Sequence, residues 1–339
     1  MRIDMDYIKR VEKTLHEGLI SESFAQALKN FYLSYAEAIT SNGQCMASFE
    51  PLHHRFLDFV IEQIRSPFYF EPFHQEITSP FNYYEFGLDY MRPLVKLDRS
   101  KVFHLERVDE MVELLAKKHN VILFANHQTE PDPQAISLLL ENTHPKFAED
   151  MIFVAGHRVV MDPMAVPFSK GRNLLCIYSK KYTENPPEEK AKKLQHNQRT
   201  MKKMAQLLSE GGKCIYVAPS GGRDRPDEHG RLDVAPFNPQ SIEMFWLMSQ
   251  QAQHPTHFYP LALATYDLLP PPNSIKKELG EHRYARCTPL CLSFGAEFDM
   301  EKFDGSEISD KKLRRKLRAD QIWELVRKDY KKISEYMNA

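Results

Sequence analysis

Val121-Ile-Leu-Phe-Ala125 runs straight into Asn126-His127-Gln-Thr-Glu-Pro-Asp132-Pro133 and then into Gln134-Ala-Ile-Ser-Leu-Leu-Leu-Glu141. The first block is a short apolar run of strand length. The second carries two prolines and breaks the chain, with Asp132 placed to cap a helix and Pro133 to start it. The third is read as that helix. A strand passing through a tight loop into a helix is the repeating unit of an α/β sheet.

Outward from this stretch the same alternation recurs. Short apolar runs predict strands at Met151 to Ala155, Leu174 to Tyr178, Cys214 to Ala218, His257 to Thr265 and Leu290 to Phe294. Between and after them, helices are predicted over Glu188 to Ser209, closed by Gly211-Gly212, over Gln240 to Gln253 and over Asp310 to Tyr336. The fold class is therefore α/β, a mixed sheet flanked by helices. Ligands of such sheets sit on the loops beyond the strand ends. Seven of the 13 glycines fall between Gly156 and Gly230, where tight loops are needed.

The first 65 residues read differently. Ile3, Tyr7, Ile8, Val11 and Leu15 share one helical face, as do Phe24, Leu28, Phe31, Tyr32, Tyr35 and Ile39, and then Leu52, Phe56, Val60 and Ile64, stopped by Pro67. These stripes predict a small helical bundle with no chemistry of its own. Pro67 to Pro93 is rich in Pro, Phe and Tyr without a clear period and reads as a connector packed on the next domain. The expected division is a bundle at 1–72 and an α/β domain at 73–339.

Composition excludes several classes. Of 339 residues, 42% are hydrophobic and 27% charged, with 45 basic against 46 acidic side chains, so the chain is neither disordered nor a coat for nucleic acid. The longest run without Asp, Glu, Lys or Arg, Met244 to Tyr266, holds Ser249, three Gln, two His and two Pro and cannot span a bilayer as a helix. Five cysteines with no Cys-x-x-Cys pair indicate a reducing compartment, and the start resembles neither a secretory signal nor a transit peptide.

The chemistry concentrates on three loops. A carboxylate folded back onto the Nδ1–H of an imidazole leaves Nε2 as a base for an alcohol. His127 and Asp132 have the spacing for this, but 14 histidines and 18 aspartates give roughly 0.7 chance matches to His-x4-Asp, and four occur. His53/Asp58 and His104/Asp109 lie in charged helical or pre-helical segments and read as solvated surface. His157/Asp162 also follows a strand and precedes Asp-Pro, so spacing alone leaves it a rival. Next, Ser220-Gly-Gly-Arg223-Asp-Arg225 follows a strand; its glycines admit a ligand to the backbone, and alternate arginines in an extended loop can reach one anion. It lacks the Lys-Ser/Thr of a P-loop, and no G-x-G-x-x-G exists, which disfavours nucleotide chemistry. Lys180 and Lys181 follow a third strand. A base, two arginines and two lysines at one sheet edge point to a phosphorylated alcohol; the nearby histidines lack metal-ligand spacing.

Several long blocks in this order resemble the soluble plastid-type glycerol-3-phosphate 1-O-acyltransferases. They are Phe70-Glu-Pro-Phe-His, Asn126 to Pro133, Met161-Asp-Pro163 with Pro167-Phe-Ser-Lys-Gly-Arg-Asn173, Tyr178-Ser-Lys-Lys181, Ala218 to Pro226, and Tyr266-Asp-Leu-Leu-Pro-Pro-Pro272. The likeness extends from about residue 67 to 298. It implies transfer of a fatty acyl group from acyl carrier protein or coenzyme A to the 1-hydroxyl of glycerol 3-phosphate, the first step of phospholipid synthesis. It also implies His127 as base, Asp132 as its partner, and Lys181, Arg223 and Arg225 as phosphate ligands. Neither a cofactor nor a metal is implied. Tyr182 stands where plant relatives carry a basic histidine, and His157 where they carry aspartate. The expected partners are the acceptor, the thioester donor and a peripheral membrane contact for product release, without nucleic acid; the expected compartment is the cytoplasm, or the plastid stroma for a trimmed chain. A lysophospholipid acyltransferase and a non-catalytic acyl-carrier binding module are the alternatives.

Overall fold

The computed structural model describes residues 5–272 and 279–338. Three helices open the chain: α1 (Met5–His16), α2 (Glu22–Ser41) and α3 (Glu50–Arg65). The Ser21 hydroxyl accepts the Phe24 N–H to cap α2, and a proline in the first turn helps to start α3. Their apolar stripes meet around His53, which is 1% exposed and ringed by Tyr7, Phe31, Tyr32 and Tyr35. Burial pushes this imidazole down to about 3. The expected solvated histidine is thus a core residue, held to the Tyr90 hydroxyl at 2.8 Å.

The aromatic connector contains β1 (Phe73–His74) and a helix, α4 (Tyr83–Met91), capped by Asn82. Seven of the nine α4 residues are buried and the polar face is reduced to Glu85 and Asp89, too narrow a stripe to stand out as a helical period. The bundle's apolar cluster continues through Tyr83, Phe86, Leu88 and Tyr90 to Ala135 and Leu138.

Beyond it follow β2 (Lys101–Phe103), α5 (Glu106–Ala116), β3 (Asn120–Ala125), α6 (Asp132–Leu140), α7 (Pro145–Asp150), β4 (Ile152–Gly156), α8 (Val166–Ser169) and β5 (Asn173–Ile177). Then come α9 (Lys180–Thr183), α10 (Lys190–Glu210), β6 (Cys214–Val217), α11 (Pro239–Ser249), β7 (Thr256–Ala264), β8 (Cys291–Phe294) and α12 (Lys311–Asn338). The six expected strands are β3 to β8, each within a residue or two of its expected ends. The two short edge strands β1 and β2 carry too few residues to show a period.

The strands form one mixed sheet in the order β1-β5-β4-β6-β3-β7-β8-β2. β5, β4, β6, β3 and β7 run parallel, while β1 and β8 pair antiparallel with their neighbours β5 and β7. Val121, Leu123 and Ala125 face α5, α6 and α7; Ile122 and Phe124 face α10, α11 and α12. Both faces are covered, so the central strands are continuous apolar runs. The loops after β3, β4, β5 and β6 therefore all leave from one edge.

Candidate active site

β3 ends at Ala125, and the next side chain ties its exit to the sheet. Asn126 Nδ2 donates to the Leu263 carbonyl at 3.0 Å and to Asp224 Oδ2 at 2.9 Å, while its Oδ1 accepts the Leu263 N–H at 2.8 Å. The Tyr216 hydroxyl donates to the Asn126 carbonyl at 2.8 Å. With the backbone so held, His127 Nδ1 lies 2.7 Å from Asp132 Oδ2. The carboxylate is 1% exposed and fully engaged: it also accepts the Gln128 N–H at 2.9 Å and the Thr265 hydroxyl, on its other oxygen, at 2.6 Å. Asp132 is the first residue of α6, not its cap; that place falls to Pro131, and the carboxylate turns back on the preceding loop instead of forward on the helix. His127 keeps 29% of its side chain exposed, so the pair presents one imidazole face with Nδ1 committed and Nε2 available.

The other three His-x4-Asp matches do not form pairs. His104 meets Glu106 while Asp109 meets His144, and Asp58 binds Arg10. Asp162 is turned away from His157: it accepts the N–H groups of Met164 at 2.9 Å and Gly280 at 3.0 Å and lies 3.4 Å from Arg283. His157 packs on Tyr178 and Tyr182, with its Nδ1 buried and unpartnered.

Arg223 and Arg225 leave the end of β6 toward the same edge. The Asp224 between them points inward, its N–H donating to the His127 carbonyl at 2.6 Å and its Oδ1 accepting Ala235 N–H at 2.9 Å. Burial pushes Asp224 up to about 6. Arg223 binds Glu281 at 2.6 Å, and the second oxygen of that carboxylate meets Arg158 at 3.3 Å. Arg225 donates to the Pro272 carbonyl. Burial first, then the positive field of Arg223, lowers the Arg225 pKa. Lys181 falls in α9, but its side chain lies outside the described residues.

Sequence reasoning missed a second layer beneath this edge. Arg283, 4% exposed, holds Glu130 with two bonds of 2.7 and 3.0 Å and donates to the Glu281 carbonyl at 2.9 Å. Burial raises the Glu130 pKa, but Arg283 and Arg223 outweigh it and leave the group below its ordinary value. Four arginines thus face three carboxylates beside His127. Arg158 was discoverable by the logic that found the others, since it too leaves a strand at this edge. Glu130, Glu281 and Arg283 carry no local signal.

A largely apolar cavity of about 120 Å³ lies beside the pair, lined by His127 and Asp132, by Tyr216, Phe153, Leu174 and Phe168, and by the charged Arg172, Glu130 and Arg283. A histidine–aspartate pair, arginines on the same sheet edge and a largely apolar cavity make up the candidate site. Residues 105–264 match the Acyltransferase family model. A chloroplastic glycerol-3-phosphate acyltransferase of Cucurbita moschata is 38% identical over 317 residues, covering 93% of this chain and 69% of the relative. Those of Spinacia oleracea and Arabidopsis thaliana are 42% and 37% identical, covering 82% and 88% of this chain and 60% and 66% of their own length. This chain belongs to the glycerol-3-phosphate acyltransferase family.

Proposed function

We propose that the enzyme transfers a fatty acyl group from a thioester to the 1-hydroxyl of glycerol 3-phosphate. The observation that carries this reading is the 2.7 Å His127–Asp132 contact beside a largely apolar cavity, with arginines on the same sheet edge. His127 Nε2 takes the acceptor hydroxyl proton as that oxygen attacks the thioester carbonyl. Asp132 stabilises the imidazolium that forms. When the tetrahedral intermediate collapses, the C–S bond breaks and the departing thiolate takes the proton back from His127. The ester and a free thiol result, and the histidine is neutral again.

Arg223 and Arg225, with Lys181, hold the acceptor phosphate, and Glu281 keeps Arg223 and Arg158 aligned until it arrives. The donor is an acyl carrier protein or coenzyme A. Such carriers are acidic, and exposed Lys190, Lys192 and Arg199 on α10 suit docking, whereas Lys193 is buried and bound to Glu189 and the Asn185 carbonyl. The relatives are chloroplastic by name, which supports the plastid stroma as the site of action; the bacterial cytoplasm is the alternative. Among the described residues no helix is long and apolar enough to cross a membrane; peripheral contact for product delivery belongs to the same reading.

The test is a turnover assay of the purified chain with both donors and, as acceptors, glycerol 3-phosphate and a lysophospholipid. Product from glycerol 3-phosphate alone is expected. Turnover only with the lysophospholipid would overturn the acceptor, and acyl-carrier binding without turnover would make the protein a binding module.

A further inference from the structure

Arg172 stands immediately before β5 and is 2% exposed. Its Nη1 donates to the Ser137 hydroxyl on α6 at 2.7 Å, and its guanidinium carbon lies 4.6 Å above the Tyr84 ring. Nε and Nη2 are buried without a hydrogen-bond partner. Burial lowers this guanidinium to about 10, which still leaves it cationic at neutral pH. Folded proteins rarely leave such groups unpaired, because each costs the desolvation of a strong donor. The preceding residue is a glycine out of necessity, since a Cβ there would sit 2.4 Å from the Tyr83 carbonyl, and this close approach seats Arg172 beneath α4.

This guanidinium, bonded through Nη1 to Ser137, stacked on Tyr84 and in the field of Glu76, lines the same cavity as the His127–Asp132 pair. The strand register shows how the two are connected. Tyr216, Phe153 and Leu174 occupy one row across β6, β4 and β5, all on the α6 face, and all line the cavity. His127 lies beyond the C-terminal end of β3, and Arg172 precedes the N-terminal end of β5, at the opposite sheet edge. Three strand spacings of about 4.8 Å separate their backbones across the sheet, and the Arg172 side chain reaches back to Ser137, about 7.5 Å along α6 from Asp132. The volume, about 120 Å³, is about ten times that which admits one water.

We propose that Arg172 sets the upper limit on acyl-chain length, as a polar stop at the far end of this cavity. The N–H groups on Nε and Nη2 keep water in the last part of the cavity. A chain that ends short of the guanidinium leaves that water in place. One that is longer must strip the cation and offers it only methylenes in return. The inference rests on the acyl-transfer reading above, with the cavity taken as the donor's acyl channel.

The test compares kcat/KM for saturated acyl thioesters differing by two carbons in wild type, Arg172→Met and Arg172→Lys. In wild type, the first step past the best chain is expected to cost about tenfold or more. Arg172→Met should shrink that step to about threefold or less, while Arg172→Lys should keep it. Wild type should also turn over an ω-hydroxy donor of the first rejected length better than its methyl counterpart, because the hydroxyl can accept from the guanidinium. That arm uses no variant and decides the matter if Arg172→Met does not fold. Turnover with an identical length profile in Arg172→Met, or no advantage for the ω-hydroxy donor, overturns this inference alone. No turnover by wild type with any thioester overturns the acyl-transfer reading and this inference with it.

Discussion

The loops after β3 and β4 carry the same His-x4-Asp spacing at the same sheet edge, and they do opposite things with it. After β3, Asn126 clamps the backbone to β7, and the short turn brings Asp132 onto His127 at 2.7 Å. After β4, the chain turns so that Asp162 caps a bend and faces Arg283, leaving His157 among tyrosines. One carboxylate holds a histidine; the other holds a loop and an arginine. What separates them is the backbone of each loop and the partner each carboxylate finds.

The sharpest way to break this comparison is to remove each histidine. General-base catalysis is worth about 10² to 10⁴ in rate, so His127→Ala should lose that much kcat. His157→Ala should lose less than about tenfold, the ordinary effect of a distant packing change. Steady-state kinetics on folded variants decide it, and a larger loss in His157→Ala would reverse the assignment.

The next contrast is between rate and stability. Asp162→Ala strips a buried partner from Arg283, a change worth about 3 kcal/mol of unfolding free energy, at the low end because Glu130 remains. Denaturant unfolding should show that loss with kcat per folded molecule changed less than about tenfold. A variant as stable as wild type but inactive would move Asp162 into the chemistry.

A third test concerns the arginines. Loss of one charged hydrogen bond costs about 1.5 to 3 kcal/mol, so Arg223→Ala should raise the KM for glycerol 3-phosphate at least about tenfold and leave the donor KM nearly unchanged. Arg158→Ala should move the same parameter in the same direction, since Glu281 holds both. An unmoved acceptor KM in Arg223→Ala would remove that loop from the phosphate site.

The smallest effect is a pH dependence. Burial places Asp224 at about 6, so between about pH 4 and 6 the folded chain retains a proton that the unfolded chain has lost. The stability this group contributes is therefore fully present below about pH 4 and lost as pH rises to about 6, opposite to an ion-paired carboxylate. The unfolding free energy of wild type minus that of Asp224→Asn should fall by about 2 kcal/mol across that window. A flat difference would mean that Asp224, whose N–H holds the His127 carbonyl, is not strained by its burial.

Period and punctuation carried much of the architecture. Apolar runs of strand length and helical stripes marked six strands and the opening helices, because those residues answer to local rules of pleat and helix turn. α4 escaped because a helix buried on nearly every side has no stripe, and His53 because one spacing cannot tell a core from a surface. At the active edge, the sequence alone supplied the residue types and the order of the loops, and its long blocks of likeness supplied the reaction. Tertiary structure decided which histidine meets its aspartate, that Glu281 bridges Arg158 and Arg223 from a loop far along the chain, and that His127 and Arg172 line one cavity. Those facts depend on strands β5, β4, β6 and β3 lying side by side in an order the chain does not follow, and local propensity carries no record of that order.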